Sequence, residues 1–139
     1  MFPSSRYRRN EVDVVVFLAT FADKRYITMY VRDKIKENLV SFSEICERHG
    51  IKSLYAFGSS VTDRFDPRRS DIDLLVEMKE MDPLERGEQL LSLWDKLEAF
   101  FQRKVDLLTA KSLRNPYLSQ SINDTKVLLY DYQGEKVFV

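Results

Sequence analysis

A mixed sheet of about four strands with helices packed on it, an α/β or α+β fold, is predicted for this chain of 139 residues. Three observations carry that expectation. Apolar residues recur at helical spacing in two long segments, short apolar runs rich in β-branched and aromatic residues lie between them, and Gly, Pro or Asn stands at nearly every junction.

Over residues 30–49 the positions Val31, Ile35, Leu39, Phe42, Ile45 and Cys46 repeat every three or four residues and mark one face of an amphipathic helix. Gly50 is its natural stop. Residues 51–57 then read as a strand with a tight exit at Gly58, and residues 59–70, polar and containing Pro67, as a short helical turn and loop. Residues 71–78, D-I-D-L-L-V-E-M, form a compact apolar run with two acids at its mouth, the pattern of a buried strand entering a site. Pro83 opens a helix with Leu84, Leu90, Leu91, Trp94, Leu97 and Phe101 expected on one side. A third strand follows at 104–109. Asn115-Pro116 supplies an N-cap and first-turn pair for a last helix to about Asn123, and residues 126–130 form a final short strand.

The length suits one domain with a single core, expected over 29–139. Residues 1–28 read as an N-terminal extension, with Met29, just ahead of the helical pattern, as an alternative start. Arg6, Arg8 and Arg9 before the apolar run Val14 to Ala19 loosely imitate a secretion signal; the acids Glu11 and Asp13 and the shortness of the run argue against one. Lys+Arg and Asp+Glu balance at 22 each, so no global positive field would hold the chain on DNA or RNA, and no nucleic acid or membrane partner is expected. Cys46 is the sole cysteine and His49 the sole histidine, which removes an internal disulfide and argues against a Cys/His zinc site; a reducing cytoplasm fits. Cys46 is read as core and His49 as a helix C-terminal residue.

Chemistry concentrates in the block Phe57-Gly58-Ser59-Ser60, followed after a polar loop by Ser70-Asp71-Ile72-Asp73. Residues two apart on a strand share a face, so Asp71 and Asp73 place two carboxylates side by side. Anions that close resist burial unless a cation lies between them, and hard oxygen ligands select magnesium or manganese. Gly58 and Ser59 end a strand where a helical turn begins, so bare amides and a hydroxyl can face a triphosphate. Asp106, in a later apolar strand, completes a triad if that strand lies beside the one carrying Asp73. Structural alternatives stand beside each: Asp71 and Asp73 could pair with Arg68 and Arg69, and Asp106 with Lys104 or Arg103. Arg64, Arg68 and Arg69 could steer an anion or merely solvate a turn, and Trp94, Phe100 and Phe101 could be core or seat a partner helix.

The G-S, spaced D-x-D and later V-D-L pattern resembles the minimal nucleotidyltransferase (MNT) group of the polymerase-beta superfamily, over about residues 54–130. The resemblance implies a polymerase-beta-like nucleotidyltransferase fold. It implies that Gly58 and Ser59, with Ser60 beside them, hold the triphosphate, that Asp71 and Asp73 bind metal, and that Asp106 is the third catalytic carboxylate and metal ligand. Two Mg2+ ions, with Mn2+ as a substitute, and ATP as substrate follow from the same likeness. Domains of this size resemble the antitoxin halves of toxin–antitoxin pairs, which implies a helical HEPN toxin as partner and a tyrosine on it as acceptor of AMP. Alternatives are transfer to a small antibiotic, for which no acceptor-binding domain is left in the chain, and a non-catalytic module that covers the toxin. A templated polymerase lacks the length and the basic surplus. The chain departs from the family pattern in two places. Eleven residues, 60–70, separate Ser59 from Asp71, one more than is usual, and the common A-R-G after G-S is replaced by Val61-Thr62-Asp63-Arg64-Phe65, where Arg64 is the candidate phosphate-facing cation.

Overall fold

The structure is a computed structural model that describes residues 29–61, 66, 70–133 and 136–137. The expected extension 1–28, Arg64, Pro67, Arg68 and Arg69 lie outside the described residues.

The first helical segment is two helices, α1 (Met29–Glu37) and α2 (Leu39–Arg48), where the apolar spacing predicts one. The break falls at Asn38, whose backbone (φ −134°, ψ 49°) leaves the helical region while its carbonyl accepts from Phe42 N–H at 2.9 Å and starts α2. Asn competes poorly in helix interiors because its side chain offers the backbone other partners. Gly50, at φ +66°, turns the chain into β1 (Ile51–Phe57); a Cβ there would stand 2.9 Å from Met81 Cε. A 3-10 turn (Gly58–Val61) closes β1, and β2 (Ile72–Met78) follows. Asp82 caps α3 (Pro83–Phe101) by accepting from Leu84 N–H at 3.2 Å, with Pro83 at N1 as expected. After β3 (Val105–Thr109) and a second 3-10 turn (Ala110–Ser112), the Asn115 side chain accepts from Tyr117 and Leu118 N–H to start α4 (Pro116–Thr125). The chain ends in β4 (Val127–Asp131) and a two-residue β5 (Lys136–Val137), an edge addition to the four strands foreseen.

The sheet order is β3-β2-β1-β4-β5, with β2 and β3 parallel and the other neighbours antiparallel. Its two faces differ. Leu54, Ala56, Ile72, Leu74, Val76 and Val105 meet α1, α2 and α3 in the main core, with Phe42, Phe100 and Phe101 stacked at 5.0–6.4 Å between ring centroids. On the other face Tyr55, Phe57, Leu75 and Leu108 meet a smaller cluster completed by Ile122 of α4 and Leu113. Among the described residues one helix rather than three packs on this second face, so its side chains near the strand ends remain accessible.

The stripe expected on α3 is shifted. Leu93, Leu97 and Phe101 are its buried residues, while Leu84, Leu91 and Trp94 are exposed. Trp94 serves the sheet edge instead of the core. Its indole N–H donates to the Val105 carbonyl at 2.7 Å, while Glu98 accepts from Val105 N–H and Ser112 Oγ from Thr109 N–H. These bonds occupy the outer edge of β3, which would otherwise be open to strand addition. His49 is buried at the end of α2, its Nδ1 donating to the Ile45 carbonyl and its Nε2 hydrogen-bonded to Ser92 of α3. Cys46 is core, and burial, with Glu47 adding, pushes its thiol well above the usual range.

Candidate active site

The end of β1, the start of β2 and the start of β3 meet on the open face. Phe57 lies opposite Asp73 across the antiparallel β1/β2 pair, and Asp73 lies opposite Asp106 across the parallel β2/β3 pair. Neighbouring strands stand about 5 Å apart, so the two carboxylates begin from adjacent backbone positions. Asp71 is half-buried one residue before β2 rather than within it. Asp106 is exposed.

Gly58 must be glycine for two reasons. Its φ is +65°, and a Cβ on it would stand 2.7 Å from Asp73 Oδ2. The Asp73 carboxylate therefore lies against the bare backbone that begins the 3-10 turn. Ser60 was expected among the nucleotide-binding residues; it is fully buried, and its Oγ accepts from Asp73 N–H at 2.8 Å. Its hydroxyl ties the turn to the strand that carries the acids. The loop between them is pinned at its far end: Arg103 donates from Nε and Nη2 to the Ser70 carbonyl at 3.2 and 2.6 Å, and Ile72 N–H donates to the Lys104 carbonyl. Arg103, foreseen as a structural partner for Asp106, thus holds the entry to β2.

Half-buried Asp73 has its pKa raised from 3.8 to about 6, first by desolvation, then by the charges of Asp106 and Asp71. The charges of Asp106 and Asp71 thus reach the Asp73 carboxyl. Among the described residues, no three His, Cys, Asp or Glu side chains are gathered closely enough to form a metal-ligating group.

With this geometry in place, the comparison with known proteins is specific. Residues 41–129 match the nucleotidyltransferase domain. The chain belongs to that family. This nucleotidyltransferase, an enzyme, is 36% identical over 97 residues to a Methanocaldococcus jannaschii protein provisionally named protein adenylyltransferase MJ1379, covering 69% of this chain and 95% of that one. A second M. jannaschii protein, provisionally named protein adenylyltransferase MJ0126, is 32% identical over 102 residues, covering 73% of this chain and 100% of its own length. Among solved structures, a mutant of the MntA–HpeT toxin–antitoxin complex shares the fold, with TM-score 0.50 and 23% identity over 69% of this chain and 75% of that one.

The nucleotidyltransferase's acids fit a divalent cation on two observations. The donors are hard carboxylate oxygens from adjacent strands, and the Asp73 carboxyl is raised to about 6, first by desolvation and then by the charges of Asp106 and Asp71, which a cation would offset. Arg64, the expected phosphate-facing residue, lies outside the described residues. A cation the motif reading overlooked is Lys126, whose Nζ stands 4.5 Å from the centroid of the Tyr55 ring. Its only signal in the sequence is a lysine at the junction of α4 and β4. A groove of about 520 Å³ along Leu84, Leu91, Trp94 and Leu107 is not at this site. Leu107 and Asp106 point to opposite faces of β3, so groove and carboxylates are separated by the sheet.

Proposed function

We propose that this nucleotidyltransferase moves AMP from ATP onto a protein hydroxyl, a tyrosine of a helical HEPN-type toxin, and so acts as the antitoxin of a toxin–antitoxin pair. The observation that carries the reading is the register of Asp73 with Asp106 beside the bare backbone of Gly58. The names of the M. jannaschii relatives support protein as acceptor, and the family resemblance supports the toxin partner. The catalytic domain is assigned to 29–139, with 1–28 as an extension, and ATP supply places the reaction in the cytoplasm.

In this reading Gly58 and Ser59 present backbone amides to the triphosphate. Asp71 and Asp73, joined by Asp106, would hold Mg2+, two ions in the full site; bound there, the metal supplies charge neutralisation of the triphosphate and alignment for in-line displacement. Asp106, exposed at the mouth, faces the acceptor and takes the proton of the tyrosine hydroxyl. A bond forms between that oxygen and the α-phosphorus, the bond from the α-phosphorus to the bridging oxygen breaks, and pyrophosphate leaves with the electron pair. Ser60 and Arg103 keep the two strand mouths in register while this happens.

The test mixes the protein, a helical HEPN-type protein, labelled ATP and magnesium, and compares wild type with Asp71→Asn, Asp73→Asn and Asp106→Asn. Each variant is expected to lose roughly 10²–10³-fold in label transfer while still binding the partner. Equal labelling by wild type and Asp73→Asn would remove the catalytic reading. Equal neutralisation by all four without labelling would point instead to a module that acts by covering its partner.

A further inference from the structure

We infer that Lys126 is the cation that contacts the β- and γ-phosphates of the bound nucleotide, with the Tyr55 ring as the platform that aims it; the inference rests on the nucleotide reading of the site proposed above. Lys126 is the C-cap of α4, its backbone N–H donating to the Ile122 carbonyl at 2.8 Å, so the position of its Cα is set by the helix end. Its Nζ lies over Tyr55 at 4.5 Å from the ring centroid. A lysine amine held on an aromatic face is localised without being neutralised, because the ring offers a quadrupole and not a counter-charge. Among the described residues no carboxylate forms an ion pair with it, so the charge remains available to a ligand.

The location fits the triphosphate. Tyr55 shares a sheet face with Phe57, and Phe57 is the residue opposite Asp73. Tyr55 and Phe57 are two residues apart on β1, about 7 Å, and one further strand spacing leads to Asp73, which puts the amine on the order of 10 Å from the carboxylates along the face they share. That is within reach of a phosphate chain whose α-phosphorus lies at the acids. The element that delivers Lys126, α4, also packs on the Gly58–Val61 turn, so cradle and amine are carried by touching elements. Charge balance calls for such a group: the site carries three acids, Asp71, Asp73 and Asp106, and the A-R-G run usual after G-S is replaced in this chain. Lys126 lies half-buried on the same face as the acids.

The experiment uses the full chain, with AMP-PNP and AMP as probes in magnesium, and measures affinity by calorimetry. Lys126→Gln is expected to weaken AMP-PNP binding roughly ten- to a hundredfold, the loss of a charge-assisted contact, while changing AMP binding less than about twofold; Lys126→Arg should recover most of the difference. In kinetics the same loss should fall on the KM for ATP more than on kcat. Wild-type protein gives a second measurement that needs no variant: acetylation of Lys126, read by mass spectrometry, should be blocked by AMP-PNP and by free pyrophosphate but not by AMP. Equal weakening of both nucleotides, or no change in either, would assign Lys126 only to joining α4 with β1 and overturn the inference. A wild-type protein that binds AMP-PNP nowhere would instead remove the nucleotide reading itself, and this contact with it.

Discussion

Replacing Asp73 with Asn should make the metal-free protein more stable and the enzyme inactive, and the size of the first effect follows from the site. The carboxyl titrates near 3.8 in an unfolded chain and at about 6 in the fold, through desolvation, Asp106 and Asp71 in that order. About two pH units at about 1.4 kcal/mol each would be close to 3 kcal/mol, but Asp73 is only half-buried and solvent screens its neighbours, so about 1 kcal/mol is the expected cost of its charge. Because the folded pKa is the higher one, the folded state holds the proton more tightly. This strain is absent below the unfolded value near 3.8 and fully present above about 6, so metal-free wild type loses stability as pH rises through that window. Urea unfolding in chelator at pH 3 and pH 7.5 measures it directly. Asp73→Asn should match wild type at the lower pH and exceed it by about 1 kcal/mol at the higher, with a melting temperature roughly 3–5 °C above wild type. A variant no more stable than wild type at pH 7.5, or a gap of the same size at both pH values, would show that burial and the neighbouring acids do not raise the Asp73 pKa.

Magnesium should reverse that ranking: at millimolar concentration it should raise the wild-type melting temperature by mass action and leave Asp73→Asn nearly unchanged, which a thermal shift titration reads. Gly58→Ala forces φ +65° on a residue with a Cβ aimed at Asp73 Oδ2, so it should cost about 1–3 kcal/mol in urea unfolding and abolish label transfer. Ser60→Ala leaves the Asp73 N–H without its acceptor inside the protein; a stability loss of about 1–2 kcal/mol is expected, with AMP-PNP affinity in magnesium falling less than in Gly58→Ala. Phe42→Ala removes a fully buried ring from the three-ring cluster and should cost about 3–5 kcal/mol, checked by the same unfolding assay.

The order of elements and most of their starting points could be read from the residues alone because they depend on local chemistry. Asp82-Pro83 and Asn115-Pro116 start helices wherever they stand, and Gly50 and Gly58 mark backbone turns that a Cβ resists. The two-residue spacing of Asp71 and Asp73 is equally local, but β2 begins at Ile72, so only Asp73 of the two stands within the strand. Other features were decided in three dimensions. Nothing in the spacing of the chain requires β3 to lie parallel to β2 in the register that sets Asp106 opposite Asp73. The break at Asn38, the exposure of Leu84 and Leu91, the buried duty of Ser60 and the placement of Lys126 over Tyr55 belong to the same class. Periodicity reports which side chains share a surface, and caps report where an element begins. What that surface meets is set by packing between residues far apart in the chain, and the pairing of β3 with β2 that brings Asp106 opposite Asp73 is decided there.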